Sequence, residues 1–270
     1  MKKKMELLMA AVLLAAACLF AVEGPVLMGS GKQEAGWPMA VSWEQVQSRF
    51  LVSSQNAREG AASANSESVL GQWKDGKICI VIDAGHGGRD PGKETDDGVA
   101  EKAINLQIAL RLKKLLESEG IRVILTREDD NGLYKETDDN KKVQDMRRRC
   151  EIIAEAEPVF TISIHQNSYP EEYVKGAQTF YYSQSPEGKA LAEQIQASMI
   201  ERLDQENHRV PKANDSYYML KRTTSPTVIV ECGFLSNQEE ARLLQTEKYQ
   251  EKAAWAIHMG VMQYLNEAPK

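Results

Sequence analysis

The stretch that most constrains the fold is Lys77–Gly88, KICIVIDAGHGG. Its continuous apolar run, Ile78–Ile82, reads as a strand covered on both faces, since a half-exposed strand would alternate with polar positions. Asp83, Gly85, Gly87 and Gly88 then break the run, because glycine allows the tight backbone path of a strand-to-loop exit. His86 stands inside this turn among small neighbours. It suits a metal ligand or an acid–base group, although a loop histidine with no chemical role fits the same turn.

The chain before this strand has a different character. Lysines at positions 2 to 4 precede a nearly uninterrupted apolar segment, Leu7–Val22. Residues 1–22 therefore read as a signal peptide or a signal anchor, with the basic end left in the cytoplasm. No clean cleavage site follows, which favours the anchor. The remainder is expected to be exported, membrane-anchored or secreted. Residues 23–76, rich in Gly, Ser, Ala, Gln and Asn, show no sustained periodicity and read as a flexible linker. A tether of that length has a root-mean-square span of roughly 40 Å. A helical turn over Ser42–Phe50 is expected, with Trp43, Val46 and Phe50 on one side.

From Lys77 onward the pattern alternates strand and helix. Glu101–Gly120 places Ile104, Ile108, Leu112 and Leu115 on one helical face, and Gly120 is positioned to end it. IRVILT (Ile121–Thr126) is the next strand, so a parallel strand–helix–strand crossover is expected. A helix over Val143–Ala156 leads to a core strand at Val159–Ile164 and a further strand, towards an edge, at Gly176–Tyr182. Pro186–Asp204 reads as an amphipathic helix, Tyr217–Leu220 and Pro226–Val230 as short strands. Helices close the chain after Asn237 and over Tyr249–Leu265. Residues 77–270 are thus expected to form a single α/β domain: a mostly parallel twisted sheet of about six strands flanked by helices.

Three of these strands lead to a residue able to bind or use a metal: the first to His86, the third directly to His165, and Thr227–Val230 directly to Glu231. Ligand sites in open parallel sheets form outside the carboxyl ends of the strands. Side chains far apart in sequence can therefore meet there. Glu101 opens the first crossover helix on that same side, although a helix start attracts a carboxylate in any case. Glu231 interrupts TVIVECGFL, where a carboxylate costs several kcal/mol unless it is paired, protonated or metal-linked. His208 and His258 read as structural, and Arg147–Arg149 as a solvated helix face. The net charge of −6 argues against a nucleic-acid partner. Cys79 and Cys232 lie in apolar runs and read as buried thiols.

Two histidines with two carboxylates suit a catalytic zinc site, with three protein ligands, one open position and a second carboxylate to move protons. Zinc acidifies a bound water and polarises the carbonyl under attack. Asn167 is placed to help as a donor to the acyl oxygen.

The motifs IDAGHGGRDPG, GVAEKAINLQIALRL, VILTRED, FTISIHQN and VIVECGFLSN, in this order and spacing, resemble the zinc-dependent N-acetylmuramoyl-L-alanine amidases of bacteria. The similarity covers about Ile78 to Leu265 and is greatest with the germination-specific branch of the family. It implies one Zn²⁺ per chain held by His86, Glu101 and His165, with Glu231 as the catalytic carboxylate. Asn167 matches the family's asparagine after the second histidine and is expected as a substrate contact. Arg127 matches a frequent arginine after the second strand, as a substrate contact or a solvated loop charge. Peptidoglycan is the implied partner, cut at the amide between muramic acid and L-alanine. In the spore branch this step prepares cortex muramic acid for δ-lactam formation at the developing spore, completed by a separate deacetylase. Ala84 departs from the family's usual proline, and Cys232 from a small apolar residue. No long helical insertion follows His165, so control is expected in expression or a regulatory partner protein. A non-catalytic wall-binding module and a zinc peptidase of the wall are the competing readings.

Overall fold

A computed structural model describes residues 78–267 of the chain. The expected export segment, linker and Ser42–Phe50 turn lie outside the described residues. The domain is one six-stranded sheet with helices on both faces. In chain order its elements are β1 (Cys79–Ala84), α1 (Glu101–Ser118), β2 (Arg122–Leu125), α2 (Lys141–Ala156), β3 (Phe160–Asn167), β4 (Gln178–Tyr181), α3 (Pro186–Arg202), β5 (Lys212–Ala213), α4 (Tyr218–Arg222), β6 (Thr227–Phe234), α5 (Gln238–Leu244) and α6 (Glu247–Glu267).

The strand order is β2-β1-β3-β6-β4-β5. The four strands β2, β1, β3 and β6 run parallel, and β4 alone pairs antiparallel with β6. Period-two alternation divides the strand side chains between two faces. Ile80, Ile82, Ile162, Ile164, Val228 and Val230 share the main core with α1, α3 and α6. Val81 packs with Ile153 of α2 and Met219 of α4 on the other face, where Ile229 meets Phe180 and Leu220. Asp83 of β1, Ser163 and His165 of β3 and Glu231 of β6 lie on this second face.

Some sequence expectations need correction. Tyr217–Leu220 was expected as a strand, but Tyr218–Arg222 is a short helix. The Asn214 side chain accepts hydrogen bonds from the Ser216 and Tyr217 backbone amides, turning the chain before Tyr218. A short apolar run fits either period, so the turn decides. Glu231 does not follow its strand but lies within it, since β6 continues to Phe234. Gly176–Tyr182 shrinks to a strand at Gln178–Tyr181, with only the two-residue β5 beyond it.

Candidate active site

The geometry of the site starts from strand register. His165 of β3 and Glu231 of β6 are direct partners across neighbouring parallel strands, so both side chains leave the same face side by side. That face is the one bearing Asp83 and Ser163, and the ladder slips just beyond His165 through a bulge before Asn167. His86 sits on the turn after β1 with φ of +62°, a left-handed conformation uncommon for a residue with a Cβ. The turn brings its ring to 4.9 Å from that of His165, centroid to centroid.

Glu101 joins the two imidazoles. Its Oε2 lies 3.2 Å from His86 Nε2, and its Oε1 lies 3.0 Å from His165 Nδ1. It also accepts the backbone N–H of Lys93 at Oε2 and of Gln166 at Oε1, plus the Asn105 amide at Oε1. The carboxylate therefore points out of its helix into the site instead of capping α1. Burial alone would raise its pKa, but the hydrogen bonds and charges of His165 and His86 outweigh that and hold it well below the usual range. One ligand atom from each of His86, Glu101 and His165 lies within 4.8 Å of the others, close enough to share one ion. Two imidazoles and a carboxylate, with room for a further ligand, match the donor set of catalytic zinc. Asp90 Oδ2 stands 3.1 Å from His86 Nδ1 and fixes that ring from behind, as carboxylates behind metal-binding histidines do.

Glu231 lies apart from this triad. It is 6 % exposed, and its buried Oε2 has no hydrogen-bond partner. Burial pushes its pKa up to about 7, with His165 opposing the rise and the Glu101 charge adding to it. The group is poised to exchange a proton near neutrality. It opens into a cleft of about 730 Å³, lined on its sides by Tyr134, Met146, Tyr217 and Met219. Asn167 also lines this cleft, and its Oδ1 accepts the Ser168 backbone N–H, which leaves its amide nitrogen free to donate.

Arg127 behaves otherwise than expected. It is 3 % exposed and does not line the cleft. Its guanidinium donates to the carbonyls of Ala84, Gly85, Lys102 and Asp129, so it secures the turn. The arginine run also differs: Arg148 pairs with Glu151 and Glu155 near solvent, but Arg149 is buried and paired with Asp83 and Asp145. The spacing Asp145, Arg149, Ile153 marks one helix face, and that periodicity could have shown Arg149 turning inward. Asn105, one turn after Glu101 on the apolar face of α1, carried a similar unread signal. His208 is exposed, and His258 is buried on α6, away from the cleft.

A scissile carbonyl, a water and a proton acceptor can meet in a site of this shape, and that is the chemistry of a hydrolase. The class narrows to one family: the chain belongs to the N-acetylmuramoyl-L-alanine amidases, whose family model matches residues 80–263. It is 36% identical over 195 residues to the germination-specific N-acetylmuramoyl-L-alanine amidase of Bacillus subtilis, covering 71% of this chain and 81% of that one. Among solved structures it is similar to the CwlD amidase of Clostridioides difficile, determined in complex with the GerS lipoprotein. That likeness has 44% identity and a TM-score of 0.68, covering 70% of this chain and 98% of the other. An N-acetylmuramoyl-L-alanine amidase of Clostridium difficile 630 is 29% identical with a TM-score of 0.63, covering 71% and 98%. The chain is thus a cell-wall hydrolase with N-acetylmuramoyl-L-alanine amidase activity on peptidoglycan.

Proposed function

We propose that the enzyme uses one Zn²⁺ held by His86, Glu101 and His165, and that Glu231 carries the proton in hydrolysis of the amide between N-acetylmuramic acid and L-alanine. The observation that carries this reading is Glu101 bridging the two imidazoles while Glu231, in register with His165, keeps a buried oxygen unpartnered. When bound, zinc supplies Lewis-acid polarisation of the acyl oxygen and of water. Glu231 takes the proton of the attacking water and returns it to the departing L-alanine nitrogen, which otherwise leaves poorly. Its apolar surroundings keep its proton affinity near that task. The Asn167 amide donates to the oxygen on which negative charge develops.

The substrate branch is proposed to be spore cortex, on the route to muramic δ-lactam, with a separate deacetylase acting on the same muramic acid. Support comes from the germination-specific relative in Bacillus subtilis. A regulatory partner protein is proposed on the likeness to an amidase solved in complex with a lipoprotein. Residues 1–22 are proposed to carry the chain across the membrane as a signal peptide or anchor, and residues 23–76 to tether the catalytic domain of residues 77–270. No helix of the described residues is long and apolar enough to cross a membrane.

Digestion of purified sacculi followed by mass spectrometry tests the reaction. New amino termini should be L-alanine, and Glu231→Gln should lower the rate at least ~10²-fold while zinc stays bound. Cleavage between two amino acids would indicate a wall peptidase instead. Substantial activity in Glu231→Gln would remove this residue from the proton's path.

A further inference from the structure

His86 adopts a left-handed conformation that persists only where its surroundings over-determine it. Three successive carbonyls of the turn are each held by buried guanidinium groups. Arg127 donates to Ala84 and Gly85 at 2.9 and 3.0 Å. Arg149 donates through Nη1 to Ala84 O at 2.7 Å and through Nη2 to the carbonyl of His86 itself. Arg149 is in turn fixed by two carboxylates, Asp83 Oδ1 at 2.6 Å from Nη1 and Asp145 Oδ2 at 2.6 Å from Nε. Ser163 and Thr126 donate to Asp83, and the Leu133 backbone N–H donates to Asp145, so each carboxylate is anchored to a different part of the domain.

From this arrangement we infer that Arg149 is a positioning residue for the metal site. By holding the His86 carbonyl from a rigid carboxylate-braced fork, it aims the imidazole so that Nε2 meets Glu101, and thereby sets the affinity of the triad for its ion. The planar guanidinium satisfies two carboxylates and two carbonyls together, which the single ammonium of lysine cannot reproduce. This role rests on the reading of His86 as a zinc ligand. The competing role is a buried ion pair that only fastens α2 to the sheet.

Zinc affinity of the full-length chain, stripped of metal and titrated against a chromophoric chelator, separates the two. The visible spectrum of the Co²⁺-substituted protein reports ligand geometry independently of activity. Arg149→Met and Arg149→Lys should each weaken zinc binding ~10- to 100-fold and change the Co²⁺ bands. Ile153→Ala, one turn further along α2 and fully buried, should lower stability yet leave zinc affinity within about twofold. If Arg149→Met does not fold, the charge-balanced Asp83→Asn/Arg149→Gln protein carries the same expectation. Wild-type zinc affinity and Co²⁺ bands in the folded Arg149 variants would overturn the inference. His86→Ala distinguishes the levels: if it retains wild-type affinity, the ligand assignment fails and the positioning role with it. If it loses zinc while the Arg149 variants keep it, only the positioning role falls.

Discussion

Glu231 and Asp83 are buried carboxylates on the same face of one sheet, yet their surroundings drive them in opposite directions. Burial raises both. Glu231 has no hydrogen bond on its buried Oε2 and the Glu101 charge nearby, so its pKa rises to about 7. At Asp83, Arg149, Ser163 and Thr126 overcome the burial and bring the pKa down to about 2. The consequences for stability have opposite signs. Asp83 adds stability that is fully present above the ordinary carboxylate pKa and is lost as pH falls towards 2, about 2 kcal/mol in all. Denaturant titrations from pH 5 to 2 should give a shallower slope in Asp83→Asn than in the wild type, with Glu101, also held below the usual range, contributing to what remains. Glu231, with its pKa raised, costs stability progressively as pH rises from the ordinary carboxylate range to about 7, and above that the full cost of about 3 kcal/mol stands in the metal-free protein. Glu231→Gln should therefore be the more stable metal-free protein at pH 8 and the less active one, a trade between stability and function. Equal stabilities at pH 8 would mean that Glu231 is better solvated than its burial indicates.

Between elements, close approach decides what propensity cannot. Gly260 lies in the middle of α6, where alanine is ordinarily preferred by about 1 kcal/mol. A Cβ at that position would meet Ile195 Cα of α3 at 2.6 Å, so the two helices touch backbone to backbone. Overpacking of this kind typically costs about 1–3 kcal/mol, which outweighs the propensity gain. Gly260→Ala should thus lower the urea midpoint, and a rise would mean that α6 can shift away from α3 at little cost. Most elements here were legible because their apolar residues repeat at a helical or strand period, as in Ile104, Ile108 and Leu112 of α1. Tyr218–Arg222 was not, because so short an apolar run fits both periods and the Asn214 turn before it decides. Arg149 was misread because it sits in a charged run, while its burial depends on Asp83, 66 residues away.

For the whole molecule, the ion is expected to act as part of the fold. Anything bound to the native state alone stabilises it by RT ln(1 + [L]/Kd), about 2.7 kcal/mol at a hundredfold excess over Kd. Added Zn²⁺ should raise the melting temperature, a chelator should reverse the rise, and His86→Ala or His165→Ala should abolish the response. A zinc-induced shift that survives both substitutions would place the ion elsewhere. The sequence alone determined the α/β class, the buried strands and the residue types gathered at the strand ends, because periodicity and turn chemistry are local and survive in one dimension. The tertiary structure decided that β3 and β6 are neighbours, which sets His165 beside Glu231. It also decided that Arg127 and Arg149 face inward to hold the turn that carries His86. Those facts depend on strand order, register and the pairing of buried charges across the domain, none of which is written within any single segment.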